Sequence, residues 1–335
     1  MKNTPNFTIL LPGGCPNSCS FCFWEEKKAP KDWLKKLEET LVSLPEHYTR
    51  CSLSGGEPLL SPYFEATLDL VKKTRAWEAI VLTTSGIGLA STKIKGVNHV
   101  NISRHHLYDS DNSQIFGSTS VPSTEKLEEL IEDLNSSSGI DVNLNCVLYN
   151  QFENSLDVID YIDFAKSTGA QSVCSKTDQR LTKLNRPKEL EWVASRSKVV
   201  ETWSCPVCKV YRQYILGLPV YWKIAIEEPS KVVGPEYELI FQQDGFLAAD
   251  WEGKLQFIGE CVGYGIPYSI QYSAPTKLEY MSGDYRTLDQ SEPNGTYSPA
   301  SADGTWVMMK TPNGEVKPVM LEPKTVTSPF KLPMD

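Results

Sequence analysis

Short apolar runs alternate with amphipathic stretches over the first half of the chain. Six runs have the length and composition of strands, at residues 7–11, 50–54, 79–84, 97–103, 142–148 and 172–176. Between them, apolar residues recur at helical spacing in residues 31–44, 63–74, 123–134 and 155–167. Strands that alternate with helices of this length form right-handed βαβ units around a parallel sheet. The pattern therefore predicts an α/β fold.

Six such units at residues 1–180 suit a partial (β/α)6 TIM-like barrel, and a flat sheet fits the same pattern equally. In both architectures the functional groups gather at the C-terminal ends of the strands. Alternation along the later strands places polar residues on one face, namely His99, Asn101, Ser103, Asn143, Asn145, Ser172, Cys174 and Lys176. Because polar groups inside a barrel need partners, we expect a polar substrate or cofactor there.

The pattern changes after residue 180. Residues 181–198 are polar with helical spacing, and two apolar runs at 237–241 and 245–251 are joined by an Asp-Gly turn typical of a hairpin. From residue 262 onward Pro, Gly, Ser and Tyr are frequent and helical spacing is absent. We interpret residues 181–335 as a β-rich C-terminal extension that covers the barrel. A loose tail after residue 262 that engages another protein is the alternative.

Composition narrows the functional class. A net charge of −9 over 335 residues argues against a protein that grips long nucleic acids. No run of 18 apolar residues spans a membrane, and the first residues lack the build of a secretory signal, so we expect a cytoplasmic protein. In that reducing compartment the nine cysteines are expected to be metal ligands, catalytic groups or buried thiols rather than disulfides.

Three cysteines lie close together directly after the first predicted strand. Cys15, Cys19 and Cys22 have the spacing Cys-x3-Cys-x2-Cys. Three thiolates on one loop can bind three irons of a cubane cluster and leave the fourth iron open to a small molecule. A zinc site and inert buried thiols are the alternatives. Zinc usually takes four ligands, and no histidine lies near this loop.

This loop resembles the signature of the radical S-adenosylmethionine (radical SAM) superfamily, including the aromatic Phe21 before the third cysteine. The sequence Ser-Gly-Gly-Glu-Pro at the end of the second strand is similar to the Gly-Gly-Glu motif of that family. The resemblance implies a [4Fe–4S] cluster on the three cysteines. It also implies S-adenosylmethionine as cofactor, in contact with Phe21, Gly55, Gly56 and Glu57.

The resemblance extends to the ends of the later strands. Thr84 and Ser85 end the third strand, where a polar strand end often touches the cofactor in the family, although a helix cap fits equally. Ser103 and Arg104 end the fourth strand, and we assign them to the ribose and the carboxylate of S-adenosylmethionine. Asn145 on the fifth strand completes the predicted cofactor-binding set.

Three further cysteines, Cys205, Cys208 and Cys261, have a second metal-like spacing. Several branches of the family carry an additional cluster in a C-terminal extension, among them the molybdenum-cofactor cyclase and SPASM branches. The resemblance to these branches is partial, because no cysteine follows the predicted hairpin where the cyclase branch has one. A second Fe–S cluster, a zinc ion and structural thiols therefore stay open as interpretations of this set.

The resemblance implies an enzyme that cleaves S-adenosylmethionine reductively to a 5′-deoxyadenosyl radical. That radical abstracts hydrogen from a small, polar, nucleotide-like substrate or from a peptide, and a flavodoxin or ferredoxin is the expected reductant. No residue is assigned to catalysis beyond cofactor binding. A non-catalytic iron–sulfur electron carrier or redox sensor is the rival interpretation. The Gly-Gly-Glu motif argues against it, since a carrier needs no S-adenosylmethionine pocket.

Overall fold

The computed structural model describes residues 5–22, 24–148, 151–177, 188–194, 197–205, 208–225 and 238–248, together with short strands beyond them. The first six strands are β1 (Asn6–Leu11), β2 (Arg50–Gly55), β3 (Ala79–Thr84), β4 (His99–Ser103), β5 (Asp141–Leu148) and β6 (Ser172–Thr177). Each lies where the apolar runs predicted a strand.

The described ranges contain six α-helices: α1 (Trp33–Ser43), α2 (Phe64–Thr74), α3 (Asp109–Phe116), α4 (Thr124–Ser138), α5 (Ser155–Ser167) and α6 (Lys188–Ala194). In α1 the buried residues Trp33, Leu37 and Leu41 recur every four positions and form one apolar stripe. Asn154 caps α5, since its side chain accepts hydrogen bonds from the backbone of Leu156 and Asp157. None of the helices in the described ranges is long and apolar enough to cross a membrane.

Two helix predictions need correction. The short helix α3 was not predicted, because its sequence is mostly polar and shows little amphipathic pattern. The helix expected over residues 181–198 is shorter, since α6 covers Lys188–Ala194 and residues 178–187 lie outside the described ranges.

The extension is rich in strands, as predicted. Its described strands are β7 (Val200–Cys205), β8 (Cys208–Ile215), β9 (Leu218–Ala225), β10 (Glu238–Phe241), β11 (Leu247–Ala248), β12 (Leu255–Phe257), β13 (Glu260–Cys261), β14 (Ile266–Pro267), β15 (Ile270–Tyr272), β16 (Tyr285–Thr287), β17 (Thr305–Lys310) and β18 (Val316–Leu321). The predicted covering role of residues 262–335 falls largely on residues outside the described ranges and stays a prediction.

The strands β1 to β6 lie side by side in chain order and are all parallel, which confirms the predicted α/β architecture of a (β/α)6 partial barrel. Among the described strands, β1 and β6 do not pair with each other. Instead β10 joins β1 and β9 joins β6, both in parallel orientation. The extension therefore continues the sheet at both edges of the (β/α)6 unit.

The two faces of this sheet differ in polarity. Ile9, Leu53 and Leu144 belong to one hydrophobic cluster with the helical residues Leu37 and Ile131, so this face is covered by helices. The opposite face, called the polar face below, carries Asn6, Thr8, Ser52, Thr83, His99, Asn101, Ser103, Asn143, Asn145, Ser172, Cys174, Lys176, Lys223 and Glu238. Strand alternation predicted this division for β4, β5 and β6.

The hairpin between β8 and β9 offers a test of backbone strain. Leu216 has φ 52° and Gly217 has φ 83°. The left-handed region costs a residue with a Cβ atom about 1–2 kcal/mol, and asparagine tolerates it better than leucine. We expect Leu216→Asn to raise the free energy of unfolding by about 0.5–1 kcal/mol and Gly217→Ala to lower it by about 1 kcal/mol.

Urea denaturation followed by circular dichroism measures both changes. A Cβ atom at Gly217 would meet no atom within 4 Å, so only the backbone conformation is tested there. A stability gain in Gly217→Ala would contradict the left-handed turn.

Candidate functional site

The cysteine-bearing loop follows β1 and is held by two neighbouring segments. Ser18 donates its backbone N–H to the carbonyl of Phe116 at 2.7 Å, which ties the loop to the end of α3. The backbone N–H of Glu57 lies 3.4 Å from the carbonyl of Gly14, which ties it to the turn after β2. The backbone N–H of Cys22 donates to the carbonyl of Cys19 at 3.0 Å. The loop is therefore held in place by the end of α3 and by the turn after β2.

The three thiols of this loop lie near enough to influence one another. Burial raises the pKa of Cys15, and the charges of Glu57 and Cys22 raise it further. Burial and the charges of Cys22 and Cys15 raise the pKa of Cys19 to about 12. Deprotonating Cys15 and Cys19 therefore requires a positive partner. A coordinated metal supplies that charge, because a metal-bound thiol is deprotonated outright.

The three sulfur donors of the loop suit an iron–sulfur cluster. In the ranges that the structure describes, no three His, Cys, Asp or Glu side chains form a group that could hold one metal ion. In a cubane cluster each thiolate binds a different iron, so its ligands need not converge on one point. The buried atoms Asn17 Oδ1 and Trp24 Nε1 beside the loop have no hydrogen-bond partner in the protein. Three sulfur donors beside open polar atoms fit a [4Fe–4S] cluster with one open iron.

The two glycines after β2 allow a close backbone approach to this loop. Gly55 has φ +143°, and a Cβ atom there would lie 2.8 Å from the carbonyl oxygen of Leu11. A Cβ atom on Gly56 would lie 2.8 Å from the ring of Trp24 and 3.0 Å from Cβ of Cys15. Both positions therefore require glycine on steric grounds. The structure brings the two predicted motifs into direct contact.

Glu57 is buried and connects this glycine turn to the end of β3. Its Oε1 accepts hydrogen bonds from Thr84 Oγ1 at 2.6 Å and from the backbone N–H of Leu59 at 3.3 Å. Its Oε2 accepts from the backbone N–H of Ser85 at 2.8 Å and from the Ser85 hydroxyl. Burial raises the pKa of Glu57, and these hydrogen bonds oppose the rise. Both carboxylate oxygens of Glu57 therefore accept hydrogen bonds from the protein.

His105 is buried and packs against the aromatic residue of the cysteine loop. Its ring meets that of Phe21 edge to face with centroids 4.9 Å apart, and that of Phe116 at 4.7 Å. Nδ1 accepts a hydrogen bond from the backbone N–H of Val147 at 3.1 Å. Burial, aided by the charges of Lys176 and Arg104, lowers the pKa of His105 to about 3. A neutral imidazole therefore supports the aromatic residue of the cysteine loop.

The turn between β10 and β11 holds the segment that follows the cysteine loop. Gln243 is buried, accepts a hydrogen bond from the backbone N–H of Lys27 at 3.1 Å and donates one to the carbonyl of Glu25 at 3.0 Å. Trp33 Nε1 donates to the carbonyl of Gln242 at 3.1 Å. Sequence analysis did not identify these contacts, because they join residues more than 200 positions apart in the chain.

The region from β1 into α5 matches a known family. Residues 9–162 fit the family model described as the Radical SAM superfamily. This part of the chain is a radical SAM domain. The match supports the expected [4Fe–4S] cluster and S-adenosylmethionine, the cofactors of that family. The residues assigned to each cofactor stay predictions.

Curated relatives match the radical SAM part of the chain. The GTP 3′,8-cyclase of Aquifex aeolicus is 28% identical over 172 residues, covering 48% of this chain and 52% of that protein. The GTP 3′,8-cyclase of Peptoclostridium acidaminophilum is 31% identical over 165 residues, covering 46% of this chain and 49% of that protein. The chain thus spans about half the length of the curated relatives it matches.

Solved radical SAM structures show weaker likeness. Streptococcus suis SuiB bound to S-adenosylmethionine has a TM-score of 0.46 and 15% identity, covering 74% of this chain and 61% of that chain. Similarity at this level carries no information about substrate.

The fourth-strand residues assigned to the radical SAM cofactor separate into two environments. Ser103 pairs with Asn145 across β4 and β5, and both lie on the polar face. Arg104 is buried on the other side, where it donates to the carbonyls of His106 at 2.7 Å and Leu107 at 2.8 Å and pairs with Asp109 at 2.6 Å. The assignment of Arg104 to the cofactor carboxylate stays a prediction, and this arrangement argues against it.

The predicted auxiliary set is only partly described. Cys205 and Cys208 are register partners across the β7–β8 hairpin, so the turn brings their backbones together. Cys208 is buried. The side chains of Cys205 and Cys261 lie outside the described residues, and an auxiliary Fe–S cluster or zinc on these cysteines stays a prediction.

Glu57→Gln tests the carboxylate as an anchor of the radical SAM site. An amide nitrogen in place of either oxygen would face a backbone N–H donor, of Ser85 or of Leu59. We expect the free energy of unfolding to fall by about 1–3 kcal/mol, the cost of an unsatisfied buried polar group. Glu132→Gln, an exposed site on α4, is the control and should change little. Equal stability of both variants would contradict the anchoring role.

Gln243→Ala tests the contact between the extension and the cluster loop. Losing both hydrogen bonds should loosen residues 25–27 and accelerate cluster loss to a chelator, measured as decay of the visible absorption. Gln171→Ala is the matched control, since that side chain also bonds a backbone N–H, of Val142 at 2.6 Å, but at the start of β5. Equal rates of absorption decay in wild type and Gln243→Ala would contradict a role of this contact in holding the cluster loop.

Proposed function

We propose that this protein is a radical SAM enzyme that acts on a polar, nucleotide-like substrate bound against the polar face. The contact between the cysteine loop and the Gly55–Gly56 turn is the observation that supports it best. That contact joins the predicted cluster ligands to the predicted S-adenosylmethionine turn at the end of the polar face. The curated relatives named GTP 3′,8-cyclase support a nucleotide-like substrate, and a peptide is the alternative.

In this proposal each part of the site has a distinct task. The thiolates of Cys15, Cys19 and Cys22 bind the cluster. The Gly55–Gly56 turn, which resembles the family's Gly-Gly-Glu motif, binds the methionine part of S-adenosylmethionine, and its glycines let it pack closely against the cysteine loop. When bound, the cluster and S-adenosylmethionine supply a 5′-deoxyadenosyl radical that can remove hydrogen from an unreactive C–H bond.

The polar face supplies hydrogen-bonding groups that can orient a substrate. Asn143 donates to Asn101 Oδ1 at 3.0 Å and to Asn145 Oδ1 at 2.8 Å, and it accepts from the Ser172 hydroxyl at 2.8 Å. Asn101 donates in turn to Thr83 Oγ1 at 3.2 Å. This chain of amides and hydroxyls crosses four strands. It fixes the orientation of each side chain before a substrate binds, which lowers the entropic cost of binding.

Electron delivery is expected from the exposed side of the loop. Cys22 is exposed, whereas Cys15 and Cys19 are partly buried. We infer that a small reductant such as flavodoxin or ferredoxin approaches near Cys22. A non-catalytic electron carrier, the rival function, would require neither the Gly55–Gly56 turn nor the polar face.

Replacing the three loop cysteines together with alanine tests the proposal. Anaerobically purified wild type should hold at least about four irons per chain and cleave S-adenosylmethionine on reduction. The triple variant should lose about four irons and all cleavage, while Cys51→Ala, a buried thiol in the core cluster, keeps both.

Iron content and cleavage that survive in the triple variant would refute the cluster assignment. A wild-type protein that holds the cluster but cleaves no S-adenosylmethionine would favour the electron carrier. Iron left in the triple variant without cleavage would reveal an auxiliary cluster elsewhere in the chain.

A further inference from the structure

Two lysines lie side by side on the polar face where the extension joins the barrel. Lys176 on β6 and Lys223 on β9 are register partners of parallel neighbouring strands. In that arrangement the two side chains leave the same face about 5 Å apart at their origins. Val173 and Trp222, which alternate with them, are buried on the opposite face. Both ammonium groups therefore belong to the surface that the proposed substrate contacts.

Lys176 has no ionic partner of its own. Throughout the described ranges its ammonium makes no ion pair and no hydrogen bond. The charges that act on it come from Cys174, Lys223, Glu238 and Cys208. Glu238 is the carboxylate of this group, and its Oε1 already accepts hydrogen bonds from Asn6 at 3.1 Å and Thr8 at 2.8 Å. Glu238 is therefore shared between these hydrogen bonds and the charge of Lys176.

Placing two ammonium groups side by side lowers the free energy of unfolding. Like charges directly opposite on neighbouring strands repel each other. Burial lowers the pKa of Lys176 and Lys223 lowers it further, although Cys174 and Glu238 raise it. An anion between the two ammonium groups would offset both the repulsion and the lost hydration. The charge of Lys176 also lowers the pKa of His105, after the larger effect of burial.

We propose that the substrate carries an anionic group, a phosphate or a carboxylate, that binds between Lys176 and Lys223. The inference deepens the proposed function, on which it rests for the location of the substrate. The neighbouring amides of Asn143 and Asn145 are placed to bond the uncharged part of such a molecule. The lysine pair lies on β6 and β9, whereas Arg104, the residue predicted to bind the cofactor carboxylate, follows β4, so the proposed anion site is distinct from the predicted carboxylate site.

Isothermal titration calorimetry on the anaerobic holoenzyme, with S-adenosylmethionine present at saturation, tests this site. Inorganic pyrophosphate and malonate serve as the probes, and they distinguish phosphate from carboxylate recognition. One equivalent of at least one probe should bind to wild type. Lys176→Gln and Lys223→Gln should each weaken its affinity at least about tenfold, because each removes a charge-assisted contact.

Two further variants keep the result interpretable. Lys176→Arg retains the charge and should retain most of the affinity, which a loss of fold would not. Lys209→Gln, on β8 but exposed and alternating with the buried Cys208 and Val210, should bind like wild type. Reductive cleavage of S-adenosylmethionine without substrate should persist in Lys209→Gln, which alters neither the cluster loop nor the polar face.

Absence of probe binding in wild type, or equal binding in wild type and both glutamine variants, would overturn the lysine site. Equal weakening in Lys209→Gln would reveal non-specific charge attraction and would overturn it as well. If wild type binds the probe at the lysines but does not cleave S-adenosylmethionine, the proposed function fails and the anion site stands. The two ideas can therefore fail separately.

Discussion

The site is built around a close backbone contact at the ends of β1 and β2. Leu11 and Gly55 are register partners there, and the Gly55 backbone approaches Leu11 too closely for any side chain. The cysteine loop leaves from one strand and the Gly-Gly-Glu turn from the other. Because parallel strands end at the same edge of a sheet, the two motifs meet without any intervening element. Cys15 and Gly56 are consequently in contact.

Glu57 links the ends of β1 and β2 to the end of β3 through hydrogen bonds. Burying a carboxylate is costly unless its oxygens accept hydrogen bonds. Glu57 accepts four: three from Thr84 and Ser85 at the end of β3, and one from Leu59 in the turn after Glu57 itself. The Thr84–Ser85 strand end is therefore positioned relative to the cluster loop by a single side chain. The same reasoning explains Arg104, whose guanidinium joins Asp109 to the carbonyls of His106 and Leu107 beneath the polar face.

The extension contributes to the site from both edges of the barrel sheet. On the β1 edge, β10 carries Glu238 onto the polar face and the following turn holds the cysteine loop through Gln243. On the β6 edge, β9 places Lys223 beside Lys176. A parallel sheet buried on both faces is normally apolar throughout. A polar face of this extent, bounded by strands of the extension, is the arrangement expected for a polar ligand.

The sequence by itself determined the features that depend on short-range order. Cysteine spacing, the position of the Gly-Gly-Glu turn and the alternation of polar residues on β4, β5 and β6 are all local patterns with a fixed period or spacing. Alternation also places Arg104, the residue after Ser103, on the opposite side from the polar face. Only the tertiary structure decided the burial of His105, the contacts of Gln243 and the pairing of Lys176 with Lys223. These depend on which strands become neighbours, and no local pattern encodes a contact between residues far apart in the chain.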